Sequence, residues 1–138
     1  MKNRMLAVAA AGALLVAAAG MAGAKDVAVS LTGDQEVPAV TSAAKGTGKI
    51  TIGDDGSVSG SIKTTGIMGM AAHIHEAPAG KNGPPVITLE KKGDSEWAVP
   101  AGAKLTDAQI ASFKAGNLYV NVHSADHKGG EIRTQLKP

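Results

Sequence analysis

The sequence contains no cysteine and few aromatic residues, with one Phe, one Trp and one Tyr among 138 residues. The lack of cysteine excludes disulfides, cysteine nucleophiles and thiolate metal sites, so stability must come from packing, hydrogen bonds or a bound ion. The scarcity of aromatic residues argues against a stacking platform for carbohydrate or single-stranded nucleic acid. A Gly-x-Ser-x-Gly elbow, a phosphate-binding loop and paired glycosidase carboxylates are also missing, so common enzyme signatures are not found.

The first 24 residues have the pattern of an export signal. Lys2 and Arg4 supply a positive start, residues 5–20 form an apolar run, and Ala22-Gly23-Ala24 offers the small residues that signal peptidase recognises. We predict cleavage after Ala24, a periplasmic or secreted protein, and no stable membrane insertion after cleavage; an uncleaved anchor is the alternative. Loss of Lys2 and Arg4 leaves 12 basic and 12 acidic residues, so no nucleic-acid partner is expected.

The remaining residues, 25–138, suffice for one domain. Apolar residues alternate with polar ones in short segments separated by glycine, which predicts an all-β sandwich or barrel. The turn Gly53-Asp54-Asp55-Gly56 between two such segments predicts a β-hairpin, because Asp and Gly tolerate the backbone angles of tight turns. A second turn-rich segment, residues 78–85, leads into a predicted strand over residues 86–89.

One short helix is predicted over residues 107–115. Thr106 and Gln109 have the spacing of a capping box, and Leu105 and Ile110 lie where a hydrophobic staple would pack. Gly116 suits the left-handed residue that follows a helix.

The C-terminal segment predicts a second hairpin, in which residues 118–123 pair with residues 131–136. The expected pairs on the polar face are Tyr119–Gln135, Asn121–Arg133 and His123–Glu131, and those on the apolar face are Leu118–Leu136, Val120–Thr134 and Val122–Ile132. A slip of one residue would move Arg133 and Asn121 into the core, so the register is well specified.

Glu131, Arg133 and Asn121 are the predicted structural braces of this hairpin, or the residues that support the metal ligands from outside the ligand set. Glu131 and Arg133 carry opposite charges on one strand face, which predicts an ion pair. The alternative is a brace from Arg133, the only arginine after the export signal, to a carboxylate or to backbone carbonyls.

All four histidines lie in two short segments, residues 71–76 and 121–127. His73 and His75 are two positions apart, which places both rings on one side of a strand with backbones about 7 Å apart. His123 lies on the polar face of its strand and is the candidate third ligand, whereas His127 is in the following loop. Three imidazoles with an open coordination position suit copper or zinc.

The same histidines have a structural interpretation, in which His73 and His75 hydrogen-bond loop backbone at a sandwich corner and Glu131 holds His123. Imidazole nitrogens converging within about 4 Å would favour an ion, whereas hydrogen bonds from each ring to backbone would favour bracing. Glu76, Asp126 and Glu131 are the nearby carboxylates that could support a metal. Met68 and Met70 carry thioethers suited to Cu(I), but we expect them to pack against the core.

Five segments resemble the bacterial branch of the CHRD domain family. They are residues 31–38 (LTGDQEVP), 72–75 (AHIH), 82–86 (NGPPV), 115–124 (AGNLYVNVHS) and 130–136 (GEIRTQL). Thr134 and His127-Lys128 depart from the family pattern, where glycine and proline respectively are more usual. The resemblance implies an immunoglobulin-like, Greek-key β-sandwich over residues 25–138.

The segment His73-Ile74-His75-Glu76 also resembles the metal-binding strand of copper/zinc superoxide dismutases, with His123 as a possible counterpart of a later copper ligand. The bridging histidine, the zinc-site residues and the disulfide cysteines of those enzymes have no counterpart in the sequence.

Three hypotheses follow. The leading one is an exported, non-catalytic binding module that holds copper or zinc through His73, His75 and His123. The second is a structural or protein-interaction module without metal, and the third is a copper-dependent enzyme related to the dismutases.

Overall fold

The computed structural model describes residues 23–138, so the apolar run of the predicted export signal lies outside the described residues. In the described part the strands are β1 (Lys25–Leu31), β2 (Lys45–Ile52), β3 (Val58–Thr65), β4 (Gly69–Glu76), β5 (Pro85–Thr88), β6 (Glu90–Lys91), β7 (Glu96–Ala98), β8 (Leu118–Ser124) and β9 (Ile132–Leu136). One α-helix, α1 (Asp107–Lys114), and one 3₁₀ turn, Gly33–Gln35, complete the elements. Within residues 23–138, no helix is long and apolar enough to cross a membrane.

The strands form two antiparallel sheets, with the order β1-β2-β3-β7-β6 in one and β5-β4-β8-β9 in the other. The predicted all-β sandwich with one short helix is therefore confirmed. Alternation along β1 buries Val27, Val29 and Leu31 and exposes the residues between them. The core also contains Ile50, Ile52, Ile62, Ile74, Trp97, Leu118, Val120, Val122, Ile132 and Leu136. Each such side chain stabilises the fold by about 1.5–3 kcal/mol on burial.

The predicted hairpin between β2 and β3 is confirmed. The Gly53 amide donates to the Ser57 carbonyl at 2.8 Å, and the Gly56 amide donates to the Gly53 carbonyl at 2.9 Å. Gly56 has φ +87°, which favours glycine. The strand predicted over residues 86–89 is also present as β5, displaced by one residue.

Helix α1 begins with the predicted capping box. The Gln109 amide donates to the Thr106 hydroxyl at 3.2 Å, and the Thr106 amide donates to the Gln109 side-chain oxygen at 2.9 Å. Phe113 is buried, and Gly116 takes φ +79° just beyond the helix. The capping residues thus locate both ends of the helix, within one residue of the predicted bounds.

We expect Thr106→Ala to lower the free energy of unfolding by about 1 kcal/mol, because the Gln109 amide loses its partner. Urea unfolding followed by the fluorescence of Trp97 measures this loss, and Thr106→Ser, which keeps the hydroxyl, is the control. A loss below about 0.3 kcal/mol would contradict this role for the cap.

The predicted register of the C-terminal hairpin is confirmed from Leu118–Leu136 to Val122–Ile132. However, both faces of β8 are buried, and His123 is its most accessible residue. The apolar face packs in the core, while the loops over residues 32–44 and 77–84 cover the polar face. The side chains of His75, Tyr119, Asn121 and Arg133 are buried on this polar face, and Glu36 of the loop over residues 32–44 is buried against it.

Candidate metal centre

Strands β4 and β8 lie side by side and bring the two histidine segments together. In their antiparallel register, His73 faces Asn121, His75 faces Tyr119, and Ala71 faces His123. His123 is therefore diagonal to His73, and the small side chain of Ala71 leaves room beside it. The predicted convergence of His73, His75 and His123 on one face of a sheet is present.

The three imidazoles each offer one ring nitrogen within 4.8 Å of the other two. His73 Nδ1 and His123 Nε2 lie 3.1 Å apart, and the ring centroids of His73 and His75 are 5.4 Å apart. Two nitrogens bound to one zinc ion at 2.0–2.1 Å in tetrahedral geometry are about 3.3 Å apart. The ring nitrogens of His73 and His123 thus meet the expected limit of about 4 Å. The widest separation among the three ring nitrogens, up to 4.8 Å, exceeds this limit, so a ring must rotate before all three can bind one ion.

Two of the rings are oriented by backbone carbonyls. His75 Nδ1 is 2.9 Å from the Gly83 carbonyl, and His123 Nδ1 is 2.8 Å from the Lys128 carbonyl. A carbonyl oxygen only accepts, so each Nδ1 carries the proton and each Nε2 carries a lone pair. Nε2 of His75 is buried and has no hydrogen-bond partner within the described residues. Both rings therefore present a nitrogen suited to metal binding.

The loop that orients His75 is clamped onto the sheet. The Gly83 amide donates to the Tyr119 hydroxyl at 3.1 Å, and the Tyr119 ring stacks on the His75 ring with centroids 4.8 Å apart. A Cβ at Gly83 would lie 1.8 Å from the Glu76 carbonyl oxygen, so only glycine allows this approach. The turn-rich segment noted in the sequence thus positions a candidate ligand.

Burial keeps two of the candidate ligands in the neutral form. Burial lowers the pKa of His73, and the neighbouring His123 lowers it further. Burial also lowers the pKa of His75, although the hydrogen bond to the Gly83 carbonyl opposes this shift. Neutral imidazole is the form that binds metals.

The prediction that Glu131 holds His123 is wrong. The two carboxylate oxygens of Glu131 accept hydrogen bonds from the hydroxyls of Ser42 and Ser124, each at 2.7 Å, while His123 is held by the Lys128 carbonyl. Glu131 is thus a structural brace that joins the loop before β2 to the hairpin.

The predicted Glu131–Arg133 ion pair is also absent from the described residues, where the salt bridges are Lys49–Asp26 and Lys92–Glu90. Arg133 instead donates to the Asn82 side-chain oxygen at 3.0 Å and to the Lys81 carbonyl at 2.6 Å. Its guanidinium carbon lies 3.4 Å from the centroid of the Tyr119 ring. The alternative prediction of a brace to backbone is therefore the correct one, since a loop covers this strand face.

Glu36 is a buried residue that sequence reasoning missed as a site residue. Only 5 % of its surface is exposed, and Oε2 has no hydrogen-bond partner within the described residues. Burial raises the pKa of Glu36 from 4.5 to about 7, although the charge of Arg133 and the side chain of Asn121 oppose the shift. A Cβ at Gly130 would lie 2.2 Å from Glu36 Oε2 and 2.5 Å from Asn121 Nδ2, so the absence of a side chain at Gly130 makes room for both of these side chains. The one feature of the sequence that points to Glu36 is its position in residues 31–38, which resemble the CHRD family.

The remaining candidates lie apart from the three histidines. Within residues 23–138, the group of converging ligand atoms contains neither His127 nor the carboxylates of Glu76, Asp126 and Glu131. The expectation that Met68 and Met70 pack against the core is wrong, since 88 % and 68 % of their surfaces are exposed.

A family model described as the CHRD domain matches residues 27–136 of the chain. Neither the comparison with curated proteins nor that with solved structures found a matching protein.

Proposed function

We propose, starting from the membership of this chain in the CHRD domain family, that it is a non-catalytic binding module that holds one copper or zinc ion. The ligands are His73, His75 and His123. The export pattern of residues 1–24 supports a periplasmic or secreted location.

One observation carries this proposal, namely the orientation of the rings of His75 and His123. Backbone carbonyls bind both Nδ1 protons, so the lone pair of each Nε2 is directed away from the covering loops. A carboxylate or carbonyl behind the ligand nitrogen is the usual arrangement of metal-binding histidines. A buried nitrogen without a partner, as in His75, costs free energy that a bound ion would remove.

The donor set supports copper or zinc over calcium or magnesium. Imidazole nitrogens suit copper and zinc, while the harder cations prefer oxygen ligands. His73 Nδ1 lies 3.1 Å from His123 Nε2, whose lone pair accepts the His73 proton. Binding of both nitrogens to one ion would require the other tautomer of His73, with its proton on Nε2. Protonation of the imidazoles competes with the ion, so we expect the affinity to fall as pH decreases.

We expect equilibrium dialysis of the metal-stripped full chain to give one Cu(II) or Zn(II) per chain. His73→Ala/His75→Ala should weaken this binding at least about 100-fold, because two of three ligands are lost. Metal analysis of the two compartments, with the free ion buffered, measures the change.

His127→Ala is the matched control, because it removes the histidine outside the cluster and should leave the binding unchanged. The proposal fails if the full chain takes up no stoichiometric copper or zinc. It also fails if the double variant binds the ion as tightly as the unsubstituted chain.

A structural module without metal is the second candidate, and the contacts of His75 favour it. Nδ1 of this ring donates a hydrogen bond to the Gly83 carbonyl, and the ring stacks on Tyr119, so His75 braces the loop over residues 77–84. Under this hypothesis His75→Ala lowers the melting temperature equally with and without a chelator. Under the metal hypothesis, added metal raises the melting temperature of the unsubstituted chain alone.

The copper-dependent enzyme remains a hypothesis that depends on the resemblance of residues 73–76 to the dismutase strand. A superoxide assay on copper-loaded protein, with free copper removed, separates it from the binding module.

A further inference from the structure

Met68 and Met70 are exposed although the fold has an apolar interior close by. They are the large apolar side chains that the described residues leave exposed, at 88 % and 68 %. Burying a side chain of this size would stabilise the fold by about 1.5–3 kcal/mol, and this stabilisation is lost when the side chain stays in water. Two such side chains, separated by one glycine, therefore remain in water at a cost in stability.

A β-bulge turns Met70 outwards. Ala72 and Ile74 point into the core, so regular alternation along β4 would point Met70 inwards as well. The pairing with β8 shifts between Gly69 and Ala71, which face Ser124 and His123 respectively, and Met70 is the additional residue. Bulges commonly re-aim a side chain beside a functional site.

Gly69 takes the inward position at the bulge, next to the buried Trp97 ring. A Cβ added at the neighbouring Gly69 would lie 2.9 Å from the Trp97 ring and 3.1 Å from Val122. Trp97 is itself buried, and Lys91 anchors the bulge by donating to the Gly69 carbonyl at 3.1 Å. The outward position of Met70 is therefore built into the packing of this strand.

Both methionines line one surface groove of about 410 Å³ together with Ser124, Asp126 and Glu131. None of His73, His75 and His123 is among the described residues that line this groove. The carboxylate of Glu131 is occupied by two hydroxyls, whereas Asp126 is exposed at the rim. The groove thus combines two thioethers with a negative charge.

We propose that Met68 and Met70 form a separate binding site for a soft monovalent cation, of which Cu(I) is the biological example. Thioether sulfur favours Cu(I) over divalent copper and zinc, and the Asp126 carboxylate offsets the charge of the cation. This site uses none of the three histidines, so it goes beyond the proposed function and does not depend on it.

Ag(I) is the probe, because it has the charge and softness of Cu(I) and does not undergo redox change. The full chain carrying ¹³C-methyl methionine is titrated with silver nitrate in chloride-free buffer and followed by NMR. We expect the methyl resonances of Met68 and Met70 to shift and to saturate at one Ag(I) per chain. Met68→Leu/Met70→Leu should weaken binding at least about tenfold, since leucine keeps the volume and removes the sulfur.

Two further variants separate this site from other ligands. Met5→Leu/Met21→Leu removes thioethers outside the described residues and should leave the Ag(I) affinity unchanged. His73→Ala/His75→Ala should retain Ag(I) binding whether or not it binds Zn(II). Equal Ag(I) affinity in the Met68/Met70 variant, or shifts confined to histidine resonances, would overturn the proposal.

Discussion

Replacing Arg133 by methionine is expected to lower the free energy of unfolding by about 3–5 kcal/mol. Arg133 is 1 % exposed, and its guanidinium stacks on Tyr119 and donates to the loop atoms of Lys81 and Asn82. Methionine fills part of the volume but leaves the Lys81 carbonyl without its donor. It also leaves the Glu36 carboxylate without the nearby positive charge. Such a loss is a large share of the roughly 5–15 kcal/mol that stabilises a domain of this size.

Urea unfolding monitored by Trp97 measures the effect, and Arg133→Lys separates charge from geometry. Lysine retains the charge but not the planar fork, so its cost should be intermediate. A second variant, Arg133→Met/Glu36→Gln, should recover part of the stability at neutral pH, because the buried Glu36 must take up a proton on folding and glutamine need not. A loss below about 1 kcal/mol in Arg133→Met would show that this brace carries little of the stability.

We expect the stability of the unsubstituted protein to contain a contribution that is lost as pH rises from about 4.5 to about 7. Burial raises the pKa of Glu36 from 4.5 to about 7. Between these values the folded state holds a proton that the unfolded state releases, so stability falls as pH rises. The contribution is complete below pH 4.5, and its size over this window is about 3 kcal/mol.

Glu36→Gln isolates this contribution, because glutamine imitates the protonated carboxyl at every pH. The difference in free energy of unfolding between this variant and the unsubstituted chain should grow from near zero at pH 4 to about 3 kcal/mol at pH 8. The lowered pKa values of His73 and His75 act in the opposite direction below pH 6.5, but they contribute equally to both proteins and cancel.

Glu90→Gln serves as the control, because Glu90 lies on the exposed strand β6 and pairs with Lys92 at 3.0 Å. Exposed pairs of this kind contribute about 0–1 kcal/mol, so its difference from the unsubstituted chain should remain small at every pH. A difference for Glu36→Gln that does not vary between pH 4 and pH 8 would contradict the raised pKa of Glu36.

The local parts of the fold were predictable, because each depends on neighbouring residues. The capping pair Thr106 and Gln109 located the helix, and the turn at Gly56 located the first hairpin. The C-terminal register followed from placing Arg133 and Asn121 on the face opposite Val122. In this hairpin a slip of one residue would move Arg133 and Asn121 from the polar face into the apolar core.

The candidate site was predictable only in part. The spacing of His73 and His75 places both rings on one strand face, and the alternation of β8 places His123 on its polar face. The carbonyls that bind His75 and His123 were not predictable, since Gly83 and Lys128 lie in loops without periodicity. The two wrong expectations about Glu131 came from the same cause.

The amino-acid pattern alone predicts which side chains share a strand face, because the period of two is a property of the extended backbone. It does not predict that β4 and β8 are neighbours, that two loops bury the polar face, or that a bulge turns Met70 outwards. These features arise from contacts between segments far apart in the chain. The free energies of such contacts depend on the shape of the assembled sheets and not on local pattern.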